Sequence, residues 1–141
     1  MKSLKLGIML ALVTSFVLIG FASPVASASS QCKTYTNTAT FTNAFGMILW
    51  TYTYGNTFCF NGSVVTSRDA PFGMQSTGYF SFWSSRGHSE FYDGGSLGTS
   101  FIRLHGTAHF SFQLAWYTLD KYVDIYVYEY GDGSVSVIGA A

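Results

Sequence analysis

The chain holds two glutamates, Glu90 and Glu129, and three histidines, His88, His105 and His109, the side chains best suited to proton transfer or metal ligation. Two glutamates facing each other at about 5 Å would act as acid and nucleophile in a small retaining glycoside hydrolase. Glu129, however, sits in a tyrosine-rich run beside the turn Gly131-Asp132-Gly133, where a solvated charge is expected. His105 and His109 are four residues apart. On a helix they would share a turn, but on a strand they stand about 13 Å apart and cannot share a zinc ion. His88 and Glu90 fall on one strand face, so a three-ligand site would need His88 to approach another histidine from a neighbouring strand. Serine, histidine and aspartate are frequent enough to combine by chance. No catalytic residue, metal ligand or cofactor site is assigned on these grounds.

The elements that must position these groups are strands. Apolar residues alternate by two in runs rich in Thr, Tyr, Phe and Val, and no sustained 3.6-residue stripe occurs after residue 28. The pattern predicts ten strands, at 34–43, 46–55, 57–60, 63–67, 76–84, 88–92, 100–105, 107–117, 122–130 and 134–138. Asn61-Gly62 predicts a two-residue hairpin turn that sets Phe60 against Ser63, Cys59 against Val64 and Phe58 against Val65. This reading also takes precedence over the Asn61-Gly62-Ser63 glycosylation sequon. Pro71 with Gly73, and Asp93 with Gly94-Gly95 and Gly98, mark loops. Met47-Ile48-Leu49-Trp50 reads as a strand covered on both faces. In 107–117, Ala108, Phe110, Phe112, Leu114 and Trp116 share one face, while His109, Ser111, Gln113 and Ala115 share a wetter one. Many short strands with glycine turns predict an all-β, antiparallel two-sheet sandwich, with a small β-barrel as the alternative.

One strand carries the most distinctive candidate surface. Tyr122, Asp124, Tyr126, Tyr128 and Tyr130 share one face, and Val123, Ile125, Val127 and Glu129 the other. The valine–isoleucine face is the natural core, which leaves the tyrosines outward, or between the sheets with the valines outward. An outward tyrosine row would be a rigid amphipathic platform for a sugar or a protein, with Asp124 accepting hydrogen bonds. The plainer reading is a cross-strand aromatic ladder that stabilises the sheet by about 0.2–1 kcal/mol per pair. Trp50, Trp83 and Trp116 read as core anchors, and Phe80, Phe82 and Trp83 as a possible exposed apolar patch.

The first 28 residues have the grammar of an export signal. Lys2 and Lys5 precede the apolar run Leu6 to Phe21, Pro24 breaks it, and Ala26-Ser27-Ala28 offers a cleavage site. The run is shorter than the roughly 20 residues needed to cross a bilayer, and no later segment is a transmembrane candidate. Cleavage of 28 residues from 141 leaves 113, expected to form a single domain at 29–141 with a net charge of −2. Only 10% of the whole chain is charged, 48% is hydrophobic and 18% aromatic, which excludes a disordered chain and a polybasic nucleic-acid binder. In an oxidising compartment the only two cysteines, Cys32 and Cys59, are expected to pair and to tie down the new N-terminus.

The stretches Leu49-Trp50-Thr51-Tyr52, Phe58-Cys59-Phe60-Asn61-Gly62-Ser63-Val64-Val65 and Gly87-His88-Ser89 together resemble a loose group of small secreted bacterial all-β proteins. Its members share a signal peptide, a Trp-containing strand and an Asn-Gly or Asp-Gly hairpin. The resemblance implies compartment and fold, and no activity. The leading expectation is a secreted, non-enzymatic protein that binds a cell-envelope glycan or protein partner through the tyrosine face. A membrane-active, antimicrobial-type protein is a second class, against which the net negative charge counts because anionic lipid attracts Lys and Arg. The Glu90–Glu129 hydrolase is a third.

Overall fold

The computed structural model describes residues 29–79 and 81–140; the expected leader, residues 1–28, and Phe80 lie outside the described residues. Eight strands follow in chain order: β1 (Gln31–Thr42), β2 (Ile48–Phe60), β3 (Val65–Arg68), β4 (Phe72–Thr77), β5 (Trp83–Gly95), β6 (Phe101–Leu114), β7 (Tyr117–Tyr130) and β8 (Val135–Ala140). They form two antiparallel four-stranded sheets that do not close into a barrel. One has the order β1-β2-β3 with β4 also paired to β2; the other has the order β5-β6-β7-β8. The fold is the expected two-sheet sandwich.

Period-two alternation builds the core. β2 turns Trp50, Tyr52, Tyr54 and Phe58 inward, where they meet Ile102, Leu104, Ala108 and Phe110 of β6 and Val123, Ile125 and Val127 of β7. Trp50 stacks on Phe110 with centroids 4.4 Å apart. Each fully buried side chain of this size stabilises the fold by about 1.5–3 kcal/mol. The opposite face of β1 and β2 is threonine, with hydroxyl pairs Thr38–Thr53 and Thr34–Thr57 each at 2.9 Å. Gln75 of β4 joins the sheets along one side: its Nε2 donates to the His109 carbonyl at 2.9 Å and its Oε1 accepts from the Gly87 N–H. Cys32 and Cys59 are register partners in β1 and β2 and form the expected disulfide. Constraining a loop of this length is worth roughly 3–4 kcal/mol in chain-entropy terms.

Several expected boundaries are corrected. Gly55 does not end a strand, and β2 runs straight through it. A Cβ there would collide with the Tyr35 carbonyl, so the glycine permits close strand approach. Gly106 likewise lies inside one long β6, because a Cβ would stand 2.7 Å from the Tyr52 hydroxyl. The stretch marked as a loop by Pro71 and Gly73 instead starts β4 at Phe72, and Asp93 to Gly95 belong to β5, which bulges between Tyr92 and Gly94. The expected strand 76–84 is instead the end of β4, a loop and the start of β5. The expected strand 107–117 contains the β6–β7 turn, which leaves Trp116 97% exposed rather than anchored in the core. Met47 and Ile48 are exposed rather than covered, and Ser111 on the supposedly wet face is buried.

The Asn61-Gly62 turn forms with a different register. Asn61 Oδ1 accepts the N–H groups of Ser63 and Val64 at 3.1 and 3.0 Å, drawing both residues into the loop. Phe60 therefore faces Val65, Cys59 faces Ser67 and Phe58 faces Arg68. This turn is bound to its neighbours: Gly62 N–H donates to the Gly131 carbonyl and Gly131 N–H to the Ser100 carbonyl, both at 2.8 Å.

The contact at Gly106 yields a test. Gly106→Ala should cost about 1–3 kcal/mol by overpacking, measured as a lower denaturant midpoint. In a Tyr52→Phe background, where the colliding hydroxyl is gone, the same substitution should cost distinctly less. Equal losses in both backgrounds would show that the Tyr52 contact is not what requires glycine.

Candidate functional site

β6 and β7 pair over their whole length, so the outward residues of one stand beside those of the other: Phe101 by Tyr130, Arg103 by Tyr128, His105 by Tyr126, Thr107 by Asp124 and His109 by Tyr122. Val123, Ile125 and Val127 take the core, leaving the tyrosine row on the outer face of the sheet. Tyr122 is 63% exposed, Asp124 is exposed, and Tyr126, Tyr128 and Tyr130 are half-buried. All five predicted residues are thus brought onto one surface.

Rings and charges alternate across that surface. The His105 ring stacks on Tyr126 at 4.2 Å and His109 on Tyr122 at 4.3 Å, within 22° and 12° of parallel. Phe91 approaches the His105 ring at 4.9 Å, and Phe101 lies 5.9 Å from Tyr128. His105 is held between Asp124 Oδ1, 2.9 Å from its Nε2, and Asp93 Oδ2, 3.4 Å from its Nδ1. Arg103 Nε donates to Asp93 at 2.8 Å and Nη1 to the Tyr128 hydroxyl at 3.3 Å. Its guanidinium carbon lies 5.3 and 5.7 Å from the Tyr126 and Tyr128 ring centroids, within cation–π range. The hydrogen bonds it donates to Asp93 and then to Tyr128 raise the Arg103 pKa further, so it is a permanent cation. The His109 hydrogen bond, followed by that of Ser111, holds the Asp120 carboxyl below its usual range. Beside His109 and Tyr122 the surface dips into an open depression of about 470 Å³, bordered by Gly87, Thr107 and Asp124.

Sequence reasoning missed the β6 half of this surface. Its signal was present as the period-two run Phe101, Arg103, His105, Thr107 and His109, cut in two by reading Gly106 as a strand break. It also passed over the Gly-x-Ser-x-Gly spacing of Gly94 to Gly98. That segment joins two strands rather than a strand to a helix, and the Ser96 carbonyl accepts from Thr99 Oγ1 at 2.7 Å. The context of a nucleophile elbow is therefore missing.

The candidate acids and ligands are dispersed. His105 and His109 point outward, whereas His88 is opposite the buried Ala108 and pairs with Glu90 at 3.0 Å. Among the described residues, no three His, Cys, Asp or Glu side chains group as metal ligands. Glu90 Oε1 accepts from the Tyr52 hydroxyl at 2.6 Å, and its carboxyl occupies the space a Cβ on Gly73 would need. Burial first, and then the Glu90 bond, raises the Tyr52 pKa, so that hydroxyl stays a donor. Glu129 is bound instead to Asn56, whose Nδ2 donates to its Oε2 at 3.0 Å. Tyr52 and Asn56 are four residues apart on β2, about 13 Å, so the glutamates do not form a facing catalytic pair.

Glu129 is also not the solvated charge its sequence context suggests. It is 0% exposed, and Asn56 Nδ2 also donates to the Tyr92 hydroxyl at 2.6 Å, with Arg68 stacked 3.6 Å from the Tyr92 ring. Burial pushes the Glu129 pKa up to about 7, against the opposing pull of Asn56 and Arg68. An acid whose folded pKa is raised favours the fold most when protonated. Stability is therefore highest below the unfolded value near 4.5 and declines as pH rises through about 7. The full decline is on the order of 3 kcal/mol. The urea midpoint should fall between pH 5 and pH 8, and Glu129→Gln should flatten that slope and raise the midpoint at pH 8. A Gln variant that loses equal stability at both pH values would refute the buried-carboxyl origin. Comparison with known protein families, curated proteins and solved structures finds no match to this chain.

Proposed function

We propose that this is an exported, non-enzymatic protein that binds a hydroxyl-rich cell-envelope glycan through the outer face of β6 and β7. The observation that supports this reading is the outward tyrosine row, backed by cross-strand histidines and fixed by Asp93, Asp124 and Arg103. Aromatic rings give large contact area at low ordering cost, and the interleaved carboxylates and guanidinium supply the directional hydrogen bonds that a polyhydroxylated ligand requires. The disulfide is compatible with export, as is the lack, among the described residues, of a helix long and apolar enough to cross a membrane. Kinship with the loose group of small secreted bacterial β-proteins belongs to the same proposal.

Tyr126 and Tyr128 occupy the centre of the row. Replacing both by Ser should abolish retention on purified cell-wall polysaccharide, while the far-UV circular dichroism spectrum stays that of the parent. Each lost cross-strand pair should lower stability by only about 0.2–1 kcal/mol. Retention that survives the double substitution would refute the proposal. Retention that requires wall-associated protein rather than polysaccharide would replace the glycan with a protein partner.

A further inference from the structure

The two ends of the sandwich differ in a way the tyrosine face does not explain. At one end the β2–β3, β5–β6 and β7–β8 turns are built from Asn, Ser, Thr, Asp and Gly apart from Val64 and Leu97, and they bind one another. Gly62 N–H donates to Gly131, Val65 N–H to Thr99 and Gly98 N–H to Val65, at 2.8, 2.9 and 2.8 Å. Leu97 is the large apolar side chain exposed there.

The other end is apolar. The β1–β2 turn, the β4–β5 loop and the β6–β7 turn converge on it, since Gly78 N–H donates to the Leu49 carbonyl and Gln113 N–H to the Phe82 carbonyl. Beneath them Phe41, Trp50, Trp83 and Phe112 form the last aromatic layer of the core. Beyond that layer Phe45 is 88%, Met47 60%, Phe82 64% and Trp116 97% exposed. Residues 43–49, 78–85 and 112–119 contain no Asp, Glu, Lys or Arg.

These side chains are held outward by ordered backbone. Asn43 Oδ1 accepts the N–H groups of Phe45 and Met47 at 2.9 and 3.0 Å, closing the turn that carries Phe45. Phe82 and Ala115, at φ 56° and 51°, are the only non-glycine residues with positive φ among the described residues, and both lie in this end. Such conformations are strained for side chains with a Cβ and persist where the surroundings impose them.

We infer that this end is a membrane-docking tip that inserts Trp116, Phe45 and Phe82 into the interface of an electrically neutral bilayer. Side chains this exposed, carried on three different turns, need a medium that closes around each of them, which fluid lipid does and a rigid protein surface does only with matching sockets. Trp and Tyr favour the headgroup–acyl boundary, and Tyr117, 53% exposed, stands beside Trp116. The absence of charge across all three segments selects zwitterionic over anionic lipid, since nothing in the tip attracts a negative headgroup. The tip is separate from the β6–β7 outer face, so the two proposals stand or fall independently.

The test uses the full-length protein and vesicles of phosphatidylcholine, which carry no glycan. Tryptophan occurs only at positions 50, 83 and 116, so a signal from Trp116 cannot arise from residues 1–28. On adding vesicles, the emission of Trp116, taken as the difference between the parent and Trp116→Phe, should shift to shorter wavelength. Brominated lipid should quench it. Phe45→Ser combined with Phe82→Ser should reduce that quenching about tenfold or more, at unchanged circular dichroism. Because Phe82 touches Phe112, Phe45→Ser alone serves as the second variant and should give a smaller loss in the same direction. Trp116 emission that ignores vesicles would overturn the inference. So would a blue shift that appears on concentrating the protein without lipid and is unaltered by vesicles, which would assign the tip to self-association. Quenching that strengthens when phosphatidylserine is mixed in would overturn the commitment to neutral lipid.

Discussion

The space between the two sheets is filled largely by β2 aromatics, and two of them, Tyr52 and Tyr54, carry hydroxyls that must be hydrogen-bonded once buried. An unpaired hydroxyl in such a place costs about 1–3 kcal/mol, enough to threaten a small domain. Tyr52 is satisfied by Glu90, and Tyr54 receives a hydrogen bond from Asn37. Asn56, two positions further along the same face, links Tyr92 and Glu129. These partners lie on three other strands, so β2 is connected to β1, β5 and β7 by directional contacts as well as by packing. The glycines that look like interruptions follow from this demand. Gly73 makes room for the Glu90 carboxyl and Gly106 for the Tyr52 hydroxyl.

With the interior occupied in this way, the outward-facing residues are free to differ from surface to surface. The sheet containing β1 and β2 presents threonines that bond to each other across the strands. The sheet containing β6 and β7 presents stacked rings threaded by carboxylates and a guanidinium. Along the strand axis, one end is knitted together by glycine and polar turns, whereas the other exposes apolar side chains on ordered turns. Four surfaces of a small body thus have four chemistries.

Much of this arrangement was legible in the residues. Alternation in β7 put Val123, Ile125 and Val127 on one face and the tyrosines on the other, and favoured the aliphatic face as core; which face turned inward was decided by the facing sheet. The single cysteine pair followed from arithmetic. What was not legible depends on partners distant in sequence. Glu129 reads as a surface charge, because the Asn56 amide that receives it is 73 residues away. Gly55 and Gly106 read as punctuation, because close approach of another strand leaves no local mark. The Asn61-Gly62 turn was visible as a turn, yet its register depended on the Asn61 side chain capping two backbone donors. Of the apolar end only the stretch around Phe82 was marked by the residues, because its other side chains come from loops that only the topology brings together.

The Cys32–Cys59 bond has a topological consequence. Together with the turn at residues 43–47 it closes a covalent ring containing nearly all of β1 and β2, so the outermost strand of that sheet is fastened at both extremities. Proteins with long edge strands are prone to trading those strands between copies, which needs one extremity to peel away and thread into a neighbour. A strand locked into a closed ring has no free extremity to lend. The bond therefore does more than restrict the unfolded chain: it makes this edge a private possession of each molecule, and protects against runaway polymerisation by exchange.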